Sequence, residues 1–479
     1  MSVVTDYPMA DSLGLPLGET QDDVFRRLLM AVDGPIAHYS MLDAYWYGRQ
    51  PLAFLAPEQR KLLGDRMGRL VTNIPRLTVL SIAERLKVLS FDGVDISQEW
   101  EANDMPQHSG TLFKEALLLG AAYVLVSTNA DGSPRITVES AKQVSVERDP
   151  ATRQVTSALK RWETRTTTEA TLFLPDRIVR YRALSRGATA GAFKQIDEWP
   201  NPLGVVPMVP IVNGDRLLDV NGCSEVWDLL PLVDAASKLL VDMMCTSEAT
   251  GLPRRWITGM TPKTEIVKDA AGNPVLDGNG NPVKRLVNPV AEDTYKMAVA
   301  GKPEAKFGQW EAASMAGYES AMRVIMAQIG ALSSLPAAYL NMTNSQPTSA
   351  DAVRAQESSL TARVESKELL FSPGLEQVAA LVVAVRDGVD PASVTPRVNW
   401  ADAASRSVAQ EADAAVKLFQ AGVLARATVQ QRLGMTDDEI AADRMARRAE
   451  TLDSQGVTLL TPKTATDPNP ASPETATAA

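Results

Sequence analysis

The sequence predicts an α+β, mainly helical protein, and three observations carry that reading. Apolar residues recur at three- and four-residue spacing along most of the chain. Short β-branched runs separated by turn residues replace that period between Tyr123 and Leu174. Two helical patterns, Pro231–Gly251 and Glu311–Ser333, bracket a turn-rich insert of β character.

The elements follow in order. Residues 1–20 carry Asp6, Asp11 and several Pro and Gly, which predicts a loose arm and argues against a signal peptide. From Gln21 to Leu89 the spacing is helical, through Val24, Leu28, Leu29 and Val32, then a Pro57-Glu58 start running to Leu70. Phe91–Asp104 holds five acids and no base, a solvated acidic edge. Lys114–Ala122 reads as a helix that ends in the β run Tyr123–Thr128. Arg135–Val138, Val144–Val146, Val155–Trp162 and Ala170–Leu174 continue as strands, with Asn129-Ala-Asp-Gly132 and Asp149-Pro150 between them, as in an antiparallel meander.

Pro231 suits the first turn of a helix, where its missing N–H costs nothing. Leu232, Val233, Ala236, Leu239, Leu240, Met243 and Met244 give that helix an apolar face, and Asp234, Lys238 and Asp242 predict two ion-pair contacts along it. In the insert, Asp269-Ala-Ala-Gly-Asn-Pro-Val275 is echoed by Asp277-Gly-Asn-Gly-Asn-Pro-Val283, a pair of turns each opening an extended stretch. Asp277, Asn279 and Asn281 alternate like calcium-loop ligands. No acid follows to close such a site and Pro282 interrupts it, so an ordinary turn is the reading. Met315, Tyr318, Met322, Ile325, Met326 and Ile329 line one face of the second bracketing helix.

From Val324 to Ala350 there is no Asp, Glu, Lys or Arg, in a chain that is 22% charged. Prolines and the polar run Thr343-Asn-Ser-Gln346 break any apolar span long before the roughly 20 residues a membrane needs. A neutral polar loop held between helices remains. Thr348-Ser-Ala-Asp351 then opens a long helix with capping-box spacing, and Ser372-Pro373-Gly374 inside it predicts a kink. Helices at about 408–421, 426–433 and 437–455 follow, the last opened by Thr436 and Glu439, and 457–479 is too poor in apolar residues to fold.

At 479 residues the chain exceeds one core, and roughly two to four domains are expected. Its two cysteines, Cys223 and Cys245, read as small buried hydrophobes in a reducing compartment. The net charge of −10 has the wrong sign for a protein that holds nucleic acid by neutralising phosphates. It suits equally a protein with no polyanion partner and one that lets a polyanion pass without sticking.

No constellation argues for chemistry: no phosphate-binding Gly-rich loop, no nucleophile elbow, and two histidines, His38 and His108, on separate segments. Catalytic residues, metal ligands and cofactors are therefore expected to be none.

The chain resembles the portal (head-to-tail connector) proteins of tailed double-stranded DNA phages, in particular the siphophage type common in phages of actinobacteria. The matching segments include Tyr47-Gly-Arg-Gln-Pro-Leu-Ala-Phe-Leu55, Asn73-Ile-Pro-Arg76 with Ala83-Glu-Arg-Leu86, and Trp100-Glu-Ala-Asn-Asp104. Further along are Arg135-Ile-Thr-Val-Glu-Ser140, Asp149-Pro-Ala-Thr-Arg153, Leu174-Pro-Asp-Arg177, Asn201-Pro-Leu-Gly-Val-Val-Pro207, Gly222–Pro231 and Pro253-Arg-Arg-Trp256. The similarity runs from about Asp33 to Glu450.

The resemblance implies a ring, dodecameric in assembled particles, at one capsid vertex of the virion, built in the host cytoplasm. It implies an α/β wing at 21–222, stem helices at 223–250 and 311–334, and a β-containing clip at 251–310 between them. A tunnel loop at 335–349, a kinked helix over the wing at 350–395 and a helical crown at 396–456 complete it, with the arm 1–20 and tail 457–479 outside. Implied partners are double-stranded DNA passing without sequence specificity, the terminase large subunit, a head-tail adaptor, and the major capsid and scaffolding proteins, with no membrane.

On this reading Asn341, Thr343, Asn344, Ser345 and Gln346 face the DNA channel, with Leu335, Tyr339 and Leu340 anchoring the loop. Leu239, Leu240, Met243, Met322 and Ile325 pack the stem. Arg254, Arg255, Trp256 and Trp310 sit at the clip base, with the two tryptophans near one another. Around a dodecamer roughly −120 of formal charge surrounds the duplex, which disfavours tight phosphate contacts. Two alternatives stay open: another virion structural protein, such as a minor capsid or adaptor subunit without a DNA channel, and a ring-shaped translocase, against which the missing nucleotide loop argues.

Overall fold

The computed structural model describes residues 20–58, 61, 70–214, 216–251, 255–258, 263–269, 272–287, 304, 306–309, 315–341, 350–404, 408–433, 435 and 437–460. The chain forms two compact units, Met1–Trp400 and Ala401–Ala479. The Pro57-start helix expected to run to Leu70 lies largely outside the described residues, as do the Thr348 and Thr436 caps.

In the first unit Thr20 opens helix α1 (Gln21–Asp33) with a capping box: its hydroxyl accepts the Asp23 amide and the Asp23 carboxylate accepts the Thr20 N–H. Val24, Phe25, Leu28, Leu29 and Val32, the residues whose spacing predicts the helix, are all buried. They pack on Leu159, Ala170, Leu172, Leu174, Val179 and Tyr181, and each large aliphatic so buried contributes about 1.5–3 kcal/mol. The surface they cover is an antiparallel meander of five strands in sequence order, β4 (Val144–Arg148), β5 (Val155–Glu163), β6 (Thr168–Phe173), β7 (Arg177–Ala183) and β8 (Lys194–Pro200).

A second sheet places β2 (Ala121–Thr128) between β3 (Pro134–Ser140) and β9 (Met208–Val212). A third pair joins β1 (Val88–Asp92) to β14 (Arg397–Trp400) across almost the whole unit. Helices α2 (Ile36–Trp46), α3 (Ile74–Ala83), α4 (Ser97–Ala102) and α5 (Met105–Leu119) pack around them. The acidic edge is therefore not wholly solvated. It contains a strand and a short helix, Trp100 is buried, and Glu99 pairs with Arg386 at 3.1 Å.

Three long helices complete the unit: α6 (Leu230–Gly251), α7 (Ala316–Ser333) and α8 (Ala350–Asp387). Helix α8 runs unbroken through Pro373. Proline removes a single intrahelical bond, and beside it the Ser372 hydroxyl donates to the Glu368 carbonyl at 2.6 Å and accepts from Trp400 Nε1 at 2.9 Å. Residues 352–387 are long and apolar enough to cross a membrane by composition, but half of the most apolar window is buried in protein. Phe371 lies 5.7 Å from Phe113 in a stacked pair, and Leu375, Val378, Leu381 and Val382 are buried. Gly374 permits this packing, because a Cβ there would run into the Ile211 side chain and come within 3.3 Å of the Pro210 carbonyl.

The tightest backbone approach precedes α6. Gly222 has φ +74°, and a Cβ on it would overlap the carbonyl of Gly120. Since neither backbone can yield cheaply, Gly222→Ala is expected to destabilise the chain by about 3 kcal/mol, measured as a lower urea midpoint with the slope retained.

In the second unit α9 (Val408–Gln420), α10 (Arg426–Arg432) and α11 (Asp437–Leu460) form a small helical cluster. Asp443 links the last two of these helices, accepting from Gln430 Nε2 of α10 at 2.6 Å and from Arg447 Nε of its own helix at 2.7 Å. Helix α11 runs five residues past the expected end at about 455. Leu459 and Leu460 are good helix formers.

Candidate functional site

The helix pair α6–α7 has faces as its periodicity predicts. Met315, Tyr318, Met322, Ile325 and Met326 are half-buried and Ile329 fully buried, whereas Glu319, Ser320, Arg323, Val324, Ala327, Gln328, Ala331 and Leu332 are exposed. On α6, Val233, Ala236 and Val241 are buried, but Leu239, Leu240 and Met243 are only half-buried and Met244 is exposed. The two helices meet where Thr246 and Tyr318 share a hydroxyl–hydroxyl hydrogen bond of 2.9 Å. Of the two ion pairs expected on α6, Lys238 pairs with Asp242, but Asp234 is engaged elsewhere. Its carboxylate accepts from the Tyr45 hydroxyl at 2.9 Å, and burial lifts its pKa above the ordinary carboxylate value despite that bond.

Between these helices, β10 (Arg255–Thr258) pairs with β13 (Lys306–Gln309), putting Trp256 opposite Gly308. The flanks of the insert thus come together, with Arg255 and Trp256 on one strand. Arg254 and Trp310 lie outside the described residues, so the tryptophan pair does too. Further out, β11 (Lys263–Ile266) pairs with β12 (Lys284–Val287).

The doubled motif lies between those two strands and closes a backbone cycle. Val275 N–H donates to Val267, Val283 to Val275, and Val267 to Val283, at 2.9, 2.8 and 2.9 Å. The aspartates are spent on turns: Asp269 accepts the Asn273 amide at 2.8 Å, and Asp277 accepts those of Asn279 and Asn281 at 2.9 Å. That is the job Asp does in tight turns. Among the described residues no group of three or more His, Cys, Asp or Glu could hold a metal ion.

The charge-free segment leaves α7 through Ser334, whose φ of 58° ends the helix. Leu335 is buried, Leu340 reaches the open side of Gly330, and a turn through Tyr339 delivers Asn341, exposed and with φ 53°. Thr343, Asn344, Ser345 and Gln346 lie outside the described residues.

The loop's flanks meet a charged junction that composition and period do not signal. Glu225, just before α6, is almost fully buried and takes Arg363 and Lys367 of α8, the lysine at 2.8 Å. Asn213 adds its amide to Glu225 at 3.0 Å and accepts Lys367 at 2.7 Å. Arg363 also donates to the Leu332 carbonyl at 2.7 Å, binding the end of α7. Burial pushes the Glu225 carboxyl up, but Lys367 and Arg363 outweigh it and hold the group below the ordinary range. Asn213 just after β9, the segment leading into α6, the end of α7 and α8 therefore meet around one carboxylate.

With the helix pair, its insert and the neutral loop in place, the class of the protein is that of the phage portals. The chain belongs to the family of phage portal proteins of the SPP1 Gp6-like type, whose model matches residues 60–455. The portal proteins of Mycobacterium phages L5 and D29 are each 30% identical to it over 429 residues, covering 83% of this chain and 83% of their own. A chain in the neck of a native GTA particle, computed with C12 symmetry, overlaps it with a TM-score of 0.42 and 13% identity, covering 85% of this chain and 99% of that one. So loose a likeness adds nothing to the sequence match.

Proposed function

We propose that this portal protein assembles into a closed, dodecameric ring at one capsid vertex of the virion, a structural conduit without chemistry of its own. DNA enters through the ring during packaging and leaves through it on ejection. The α+β region at 21–222 serves as the wing, α6 and α7 as the stem, the insert as the clip, α8 as the kinked helix over the wing, and 396–456 as the crown. The clip takes the terminase large subunit first and a head-tail adaptor later, while the outer wing meets major capsid and scaffolding proteins during assembly in the host cytoplasm. The family match over 60–455 carries this reading.

Physical observations support it. A stem pair whose apolar faces stay half-buried in the single chain has surface left for neighbouring copies. A chain of net charge −10 with a neutral loop offers duplex DNA no deep binding well. In this reading Leu335–Ser349 is the tunnel loop, and Asn341, Thr343, Asn344, Ser345 and Gln346 touch DNA weakly.

Adding charge tests it. Asn344→Lys, repeated around a ring, creates a collar of lysines, each able to neutralise a phosphate. Rings should form normally by negative-stain microscopy yet translocate DNA several-fold more slowly, with relief as salt rises. Unchanged packaging by well-formed variant rings would remove the loop from the channel.

A further inference from the structure

Outside the Glu225 junction, a second buried cluster joins the two flanks of the neutral loop. Tyr339 precedes the loop tip and Glu357 follows it, and the Tyr339 hydroxyl donates to Glu357 Oε1 at 3.2 Å. Arg85, just after α3, closes the triangle. Its Nη2 lies 3.2 Å from Glu357 Oε2 and 3.5 Å from the Tyr339 hydroxyl. The arginine and glutamate side chains are only 14% and 10% exposed, so the pair is desolvated, and breaking it leaves an uncompensated charge behind. The tyrosine is different. It is 43% exposed and contributes little apolar burial, so its hydroxyl is the part of the cluster that serves the loop.

We propose that Arg85 is a positioning residue for the tunnel loop, pinning the incoming and outgoing flanks to one point on the wing. The inference rests on the reading of this segment as the tunnel loop. Holding both ends of a connecting segment at one place reduces the conformations open to it. It also fixes how far the tip can reach, which a loop that must touch passing DNA without gripping it requires. The segment itself has no charge with which to be held, from Val324 to Ala350. Any ionic restraint on it has to come from residues outside it, and Arg85 supplies a cation from a separate part of the fold.

The test is hydrogen exchange on assembled rings of Arg85→Gln, Tyr339→Phe and Glu357→Gln. Amides of residues 338–352 should exchange about tenfold faster in each, while those of β2 and β6 stay unchanged. Arg85→Gln combined with Tyr339→Phe should exceed neither single variant by much, since both open the same clamp. Unchanged exchange at 338–352 in Tyr339→Phe and Arg85→Gln rings would overturn the proposal, as would an equal rise through α3 and β1, which would make Arg85 a general brace. DNA translocation by the same rings then judges the loop reading separately. Faster exchange with normal translocation keeps the clamp and discards the channel contact.

Discussion

Glu225→Ala should be among the most damaging single changes in the chain, costing about 3 kcal/mol in denaturant unfolding, because it takes the shared counter-ion from two half-buried cations, Arg363 and Lys367. Glu225→Gln should cost less, keeping the Asn213 hydrogen bond while losing the charge. Replacing all three charged residues with apolar ones of similar volume should recover much of the loss, since well-packed hydrophobes often replace a buried ionic cluster at little cost. The same carboxylate sets an acid limit. Its folded pKa lies below the ordinary glutamate value of 4.5, so the native state binds its proton less readily than the unfolded chain. Its contribution is complete above about pH 4.5 and is lost as pH falls through the depressed folded value. Wild-type stability should drop over that window, and the drop should be shallower in Glu225→Gln. Equal slopes in both proteins would show that the junction does not carry the acid sensitivity.

The second large effect is on assembly. Ile325 and Leu239 are half-buried in the single chain, so Ile325→Asp and Leu239→Asp should leave the subunit folded by circular dichroism while abolishing rings. A carboxylate at that position must be desolvated in every interface at once, at several kcal/mol per copy. Glu319→Leu, on the exposed side of α7, should still give rings. Intact rings from both aspartate variants in size-exclusion chromatography would place the oligomer contacts elsewhere than on α6 and α7.

Local pattern was legible wherever the answer was local. The three- and four-residue period of Met315 to Ile329 marked the buried side of α7, and Val24 to Val32 the buried side of α1. β-branched runs located β2 to β6. Strands β7 and β8 escaped notice because Arg177–Ala183 and Lys194–Pro200 are rich in charge, and β9 because Pro210 interrupts its short apolar run. The arginines and acids of β7 and β8 form cross-strand ion pairs such as Arg177–Glu198 and, on the face opposite the buried Val179 and Tyr181, Arg180–Glu169. The β1–β14 pairing could not be seen at all, since no period links residues about three hundred positions apart.

The candidate site regions divide the same way. The neutral loop announced itself by missing charge, whereas Glu225, Arg85 and Glu357 look like ordinary surface residues until the fold buries them. Pro373 was legible as a disturbance of α8, but its consequence depended on Ser372 and Trp400, which only the tertiary structure brings to it.

The valine cycle of the insert has one more implication. Strands that present unpaired amides and carbonyls invite other chains to add to them, and a ring would crowd many identical tips around one axis. In the cycle of Val267, Val275 and Val283 each valine donates to one partner and accepts from the other, so this part of the tip has little backbone left to offer. Neighbouring tips therefore have no template there for zipping into a shared sheet. A partner that meets these valines must read side chains, among them the exposed Val275 and Val283 with their neighbours Ile266 and Leu276.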